Sequence, residues 1–196
     1  MHISEGILSA PVLATGAAAA ALGLGLGIRK LEGEALVRTG VLSAAFFAAS
    51  LVHLPLGPAS VHLILSGLMG ALLGWAAFPA IFVGLLLQAL LFQFGGLTVL
   101  GVNTVVMGLP AVLAGLALRP LLRKGGPAFP VVAFLCGALP ILGSLVLLYA
   151  ALVASGGELA LFAGLFFWTH LALMGVEGVI TLLILGFIKR LRPEYL

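Results

Sequence analysis

The first two residues, Met1 and His2, combine the groups best suited to holding a transition metal ion. With a free amino terminus, the Met1 amine, the His2 amide nitrogen and the His2 ring close two fused chelate rings on one ion. Three nitrogen donors in a plane suit Ni(II) or Cu(II), with Co(II) as an alternative. The same two residues are also compatible with an ordinary chain end that binds nothing. Which interpretation holds depends on the structural elements that would position them.

Composition identifies the solvent in which those elements fold. Hydrophobic residues make up 63% of the chain and charged residues 8%, and the mean hydropathy is +1.32. So little polar surface excludes a water-soluble globule and predicts an integral membrane protein. The apolar runs are continuous, which favours helices over a barrel, and the 27 glycines suit close helix packing in lipid. We therefore predict an all-α, polytopic membrane helix bundle.

Seven apolar runs have a length that fits a membrane span. The first is not expected to be a cleaved signal peptide, because its leader bears Glu5 and no cation. The predicted spans are Leu8 to Ile28, Val37 to His53, Ser60 to Trp75, Pro79 to Phe94, Asn103 to Leu118, Pro130 to Ala154 and Leu159 to Ile188.

The cations predict the orientation of the bundle. A seven-span count places all 9 lysines and arginines on one side, which the positive-inside rule makes cytoplasmic. The N-terminus then faces outward and the C-terminus lies in the cytoplasm. We expect a single membrane domain over 1–196, with a metal-binding segment 1–7, a bundle 8–188 and a cytoplasmic tail 189–196. The basic pI of about 9.5 reflects this topology and gives no reason to expect a nucleic acid partner.

Histidines and one carboxylate are the remaining candidate functional groups. His53 ends the second predicted span and His62 begins the third, so both are expected at the outer face together with His2. We interpret His53 as an anchor at the membrane interface. We interpret His62 as a metal ligand. Glu177 lies within apolar sequence and must be paired or face a cavity, and His170 is a candidate partner two helical turns away.

An uncharged, glycine-containing segment, Phe94 to Thr104, follows the fourth predicted span. Such backbone is tolerated at membrane depth only when it is buried in protein or lines a cavity, so we expect it to pack over the outer site. The amides of Gln88, Gln93 and Asn103 are expected to bind helix ends or loop backbone.

Four motifs in order along nearly the whole chain resemble the CbiM/NikM family, the substrate-binding membrane components of energy-coupling-factor transporters for cobalt and nickel. The motifs are Met1-His2-Ile3-x-Glu5-Gly6, the loop that ends Ser60-x-His62, the run Gln88-Ala89-Leu90-Leu91 followed by Gly95-Gly96-Leu97-Thr98-x-Leu100-Gly101-x-Asn103-Thr104-x-x-Met107, and Glu177-Gly178-x-Ile180-Thr181.

The resemblance implies a seven-helix bundle with its N-terminus tucked inward from the outer face. It also implies that the Met1 amine, the His2 amide and ring, and the His62 ring are the four metal donors. His53, Glu177 and Asn103 are candidates for an additional ligand or for a supporting role. The cobalt branch often has a histidine where this chain has Phe94, which leaves nickel and cobalt both open.

The sequence has no P-loop, so ATP would have to be used by partner proteins. The resemblance implies a transmembrane coupling protein, two ATPase subunits and a small accessory membrane protein, assembled at the inner (plasma) membrane. It predicts a transporter subunit with no enzymatic activity and no resident cofactor, and links it to nickel use or cobalamin biosynthesis.

Two other function classes place different demands on the sequence. A proton-coupled secondary transporter would use His170 and Glu177 as a relay and need no partners. An intramembrane hydrolase would need a nucleophile with a partner base, and the sequence offers neither a Gly-x-Ser-Gly motif nor a second deep carboxylate.

Overall fold

The computed structural model describes residues 3–56, 59–156 and 160–196, and only the backbone for 53–56, 59–61 and 160–166. Helices dominate this part of the chain, and one short antiparallel hairpin interrupts them. The elements are α1 (Ala10–Ile28), α2 (Glu34–Ser50), β1 (His53–Leu56), β2 (Ala59–His62), α3 (Ser66–Leu73), α4 (Ala77–Phe92), α5 (Leu100–Lys124), α6 (Phe129–Ala154) and α7 (Ala160–Leu191), with single 3₁₀ turns at Gly74–Ala76 and Pro193–Tyr195.

Five helical segments in the described chain are long and apolar enough to cross a membrane: residues 10–28, 66–92, 100–124, 129–154 and 167–191. The protein is therefore a multi-pass helical membrane protein, as its composition predicts. A count of seven spans is not established, because α2 has 17 residues and α3 only 8.

The third predicted span is wrong as drawn. Ala59–His62 forms a strand, and the helix that follows begins only at Ser66. α3 ends at Leu73, where Gly74 adopts a non-helical conformation (φ +56°, ψ −126°), and α4 begins at Ala77, so the helix is broken close to the predicted boundary before Pro79. Hydropathy alone could not distinguish these cases, because a short apolar run fits a buried strand as well as a helix.

The short helix α3 is wedged between α5 and α6 at positions without side chains. A side chain at Gly67 would overlap the backbone of Cys136 and Gly137, and one at Gly70 would overlap that of Ala111. From α5, a side chain at Gly115 would in turn overlap the backbone of Gly70. These contacts bring helix backbones together, which is how glycine-rich interfaces pack in lipid.

One end of the bundle collects basic side chains around the C-terminal residues. The Nε atoms of Arg119 and Arg123 donate hydrogen bonds to the Leu196 backbone oxygen at 2.9 and 2.7 Å. The Arg38 guanidinium lies 5.0 Å from the centre of the Tyr195 ring. The Leu196 side chain is buried against the core. The predicted tail 189–196 thus begins as the last turn of α7 and then packs back onto the bundle.

Candidate metal site at the amino-terminal segment

The backbone of Ile3 is held inside the protein by one side chain of α5. Asn103 Oδ1 accepts a hydrogen bond from the Ile3 N–H at 3.0 Å, and Asn103 Nδ2 donates one to the Ile3 carbonyl at 3.1 Å. The Ile3 side chain is 2% exposed and packs with Val99, Val102 and Val106. The amide thus satisfies both polar groups of a buried, non-helical residue.

The next residues are fixed by the segment that precedes α5. The Glu5 N–H donates to the Gly95 carbonyl at 3.1 Å, and the Glu5 Oε1 accepts from the Thr98 N–H at 2.9 Å and from the Thr98 hydroxyl at 3.1 Å. Gly96 has a φ of +127°, and a side chain there would overlap the Glu5 carboxyl. Glycine at this position is therefore required twice, by backbone conformation and by space.

Glu5 makes this docking sensitive to acid. The hydrogen bonds from the Thr98 amide and hydroxyl hold the pKa of the exposed Glu5 carboxyl below its ordinary value of 4.5. A depressed pKa means that the ionised form is favoured in the docked state. The contact is therefore fully present above pH 4.5 and is lost as the pH falls through the lower, docked-state pKa.

His62 is buried, 7% exposed, at the end of β2. Its Nδ1 lies 3.0 Å from the Leu63 carbonyl oxygen. A carbonyl oxygen can only accept, so this contact requires the proton on Nδ1. A fixed Nδ1–H bond to a backbone carbonyl is the usual support of a metal-binding histidine.

Glu177 fixes the backbone immediately after His62. Its carboxylate is fully buried in the middle of α7 and accepts hydrogen bonds from the Ile64 and Leu65 amides, the latter at 3.1 and 3.0 Å from its two oxygens. Leu65 has a φ of +55°, a left-handed conformation that costs an L-residue on the order of 1–2 kcal/mol. The carboxylate therefore stabilises a strained junction between β2 and α3.

The remaining predicted site residues are placed as follows. Met1 and His2 lie outside the described residues. The backbone register pairs His53 directly with His62 across the hairpin, whereas the sequence placed it at the end of a helix that in fact ends at Ser50. His170 is buried, with its Nδ1 3.5 Å from the Thr169 hydroxyl. Within the described ranges, no group of three or more His, Cys, Asp or Glu side chains could hold a metal ion.

Sequence reasoning missed the role of Thr98, which binds Glu5. It predicted that Asn103 binds backbone but not that the target is Ile3, 100 positions earlier. Both belong to the Gly95-to-Asn103 motif quoted above, so the available signal was that this uncharged segment and the Ile3-x-Glu5 motif needed partners at the same end of the bundle.

Comparison with known proteins assigns the chain. Residues 2–195 match the CbiM family, described as the cobalt uptake substrate-specific transmembrane region. The chain belongs to the CbiM family. The match begins at residue 2, so it includes the anchored segment Ile3 to Glu5 as well as the bundle.

Relatives in this family are metal transport proteins. A putative metal transport protein of Haemophilus influenzae is 38% identical over 99% of this chain and 96% of its own length. The cobalt transport protein CbiM of Sorangium cellulosum is 32% identical over 100% of this chain and 94% of its own. A putative fused cobalt transport protein CbiMQ of Methanocorpusculum labreanum is 32% identical over 99% of this chain, which covers 36% of that longer protein.

The fold is also shared with solved structures. A crystal structure described as a transition metal transporter has a TM-score of 0.75 and 25% identity, over 97% of this chain and 93% of that one. This chain is thus a membrane component of the CbiM/NikM type for cobalt or nickel uptake.

Asn103 provides the first test of the CbiM site. Asn103→Leu keeps the approximate volume but removes both partners of the Ile3 backbone, and each buried group left unsatisfied costs about 1–3 kcal/mol. We expect faster amide exchange in the peptide that contains Ile3 to Glu5, measured by hydrogen exchange and mass spectrometry, and weaker metal binding.

The matched control is Thr104→Val, the neighbouring buried residue, whose hydroxyl donates to the Leu100 carbonyl in its own helix. Exchange in the N-terminal peptide that is equally slow in Asn103→Leu and the parent would contradict the anchoring role.

Glu177 provides the second test. Glu177→Gln keeps an oxygen that accepts from Ile64 and Leu65, so we expect metal binding close to that of the parent. Glu177→Leu leaves both amides without an acceptor, which should lower thermal stability and weaken metal binding by loosening the backbone next to His62.

Thr181→Val is the control, because Thr181 is fully buried one turn further along α7 and its hydroxyl has no hydrogen-bond partner among the described residues. Metal loss in a stably folded Glu177→Gln variant would instead make the carboxylate a ligand.

Proposed function

We propose that this protein captures a nickel or cobalt ion at the outer face of the plasma membrane for an ATP-driven uptake transporter. The observation that carries the proposal is the anchoring of Ile3 by Asn103, because a buried and hydrogen-bonded third residue restricts where the two residues before it can reach. The family match, which starts at residue 2, supports the same segment as a functional element.

The proposed donors are the Met1 amine, the His2 amide nitrogen and ring, and the His62 ring. His62 contributes its Nε2, since its Nδ1 donates to Leu63. His53 faces His62 in the hairpin register and is proposed as a further ligand or a supporting residue. Glu177 and Asn103 are assigned positioning roles, because their polar atoms already bind backbone groups.

The proposed donor set would favour a transition metal ion. An amine, an amide nitrogen and two imidazoles form an all-nitrogen set that suits Ni(II), Co(II) and Cu(II) better than Mg²⁺ or Ca²⁺, which prefer oxygen. The amide must lose its proton to bind, so metal capture releases protons and weakens as the pH falls.

Energy is proposed to come from partner subunits, because the chain has no nucleotide-binding motif. The partners are a transmembrane coupling protein, two ATPases and a small accessory membrane protein. The fused relative CbiMQ, in which the matching part is 36% of the length, supports a function that needs additional polypeptide. The basic end around Leu196 supports a cytoplasmic position for that end, with the N-terminus outside.

The alternative, a proton relay through His170 and Glu177 in a secondary transporter, has less support. A relay carboxylate must exchange protons, whereas the Glu177 oxygens are occupied by two backbone amides at a strained junction. No observation here favours an enzyme.

Removal of His62 tests the donor set. His62→Ala should lower nickel or cobalt affinity by more than about 100-fold, beyond the 10–100-fold typical of residues that only support a ligand. His53→Ala should lower it less. Isothermal titration of purified parent and variants measures this, and unchanged affinity in His62→Ala would sink the assignment.

A blocked N-terminus tests the chelate. An extension that ends in an enterokinase site and precedes Met1 should abolish high-affinity binding, since it removes the free amine, and cleavage that restores Met1 should recover it. The cleaved protein is the ideal control because it differs only by the extension. The buried Leu196 makes the C-terminus a poorer place for a tag. Equal nickel binding before and after cleavage would show that the amine is not a donor.

A further inference from the structure

An apolar groove opens between the start of α6 and the last turns of α7, at the basic end of the bundle. Its volume is 630 Å³. Phe129 and Pro130 line it from α6, and Leu183, Gly186 and Phe187 from α7. The groove is remote from the anchored Ile3, which packs in one cluster with Leu148 near the other end of α6.

Two cations, Lys189 and Arg190, also line this groove. The Lys189 ammonium lies 4.0 Å from the centre of the Phe129 ring. Among the described residues the one ion pair joins Arg192 to Glu194, so neither groove cation is neutralised by a carboxylate. The groove therefore combines an apolar wall with two uncompensated positive charges.

Gly186 keeps the groove open. A side chain added there would meet nothing within 4 Å, so the space beside it is empty. The side chains of Leu183 and Phe187, on either side of it, are exposed at 66% and 64%. An occupant can thus contact the helix backbone between two apolar side chains.

We infer that this groove binds one anionic phospholipid, with an acyl chain against Leu183, Gly186 and Phe187 and the phosphate at Lys189 and Arg190. The charge pattern favours this occupant, because an apolar groove that ends in two cations without carboxylate partners matches a molecule with apolar chains and an anionic head group. Basic pockets between transmembrane helices on the cytoplasmic side are a common form of anionic lipid site. This inference is independent of the metal site.

The test is native mass spectrometry of the full-length protein in detergent, titrated with phosphatidylglycerol or with phosphatidylcholine of identical acyl chains. The parent should bind one phosphatidylglycerol more tightly than phosphatidylcholine, by on the order of tenfold. Lys189→Gln with Arg190→Gln should remove that preference. The matched control is Arg29→Gln with Lys30→Gln, which removes the same charge from exposed residues predicted to lie on the same side of the membrane.

Filling the groove tests its shape separately from its charge. Gly186→Leu should abolish tight phosphatidylglycerol binding while both cations remain. Gly175→Leu is the control, because Gly175 lies three turns earlier on the same face of α7, also has open space beside it, and does not line the groove.

Three results would overturn the inference: equal binding of the two lipids by the parent, retained preference in Gly186→Leu, or equal losses in the two charge variants. If the groove instead binds the coupling protein, the parent should show no preference between the two lipids, and Gly186→Leu should disturb only assembly of the complex. This result would also overturn the inference. Should Gly186→Leu fail to purify, the paired charge variants decide alone.

Discussion

A peptide group buried in a membrane protein has no water to bind, and the architecture of this chain follows from that constraint. Helices meet this constraint with their own backbone hydrogen bonds. The N-terminal segment at Ile3 and the junction at Ile64 and Leu65 are not helical. In each of these two stretches, one polar side chain from a distant helix supplies the hydrogen-bond partners of the backbone. Asn103 and Glu177 therefore make it possible for irregular backbone to exist at the two segments that carry the proposed metal donors.

The support of irregular backbone by distant side chains also explains why the two candidate ligand segments come from such different parts of the sequence. A strand end such as His62 can direct its ring inward without a helical neighbour on each side, while the Leu63 carbonyl fixes the ring through its Nδ1. The N-terminal segment approaches along the surface formed by Thr98 and Asn103. Both segments depend on backbone held in place, which is the preorganisation that a small ion requires.

Much of the fold could be predicted from the sequence, because composition alone specifies a helical membrane protein and the apolar runs that form α1, α5, α6 and α7 are long and uniform. The hairpin before α3 could not be predicted, since its apolar residues fit a helix as well as a strand. The hydrogen-bond acceptor for the Leu65 amide also lies 112 residues away in the sequence. The sequence predicted a role for Glu177, because a carboxylate in a membrane is energetically costly unless it has a partner. The partner itself was not predicted: the sequence suggested His170, whereas the structure provides backbone amides. Asn103 was recognised as a residue that binds backbone, while its target, Ile3, required the fold.

The glycine contacts of α3 have a mechanical consequence. At Gly67, Gly70 and Gly115 the neighbouring backbones touch without intervening side chains, so no rotamer change can make room there. Backbone packed this closely leaves little room for α3 to shift against α5 and α6, because a closely packed interior is stiff. The N-terminal segment is attached differently, by a handful of hydrogen bonds to Asn103, Gly95 and Thr98. Under the proposed function, release of the ion would therefore need less disruption at the N-terminal segment than within this helix core.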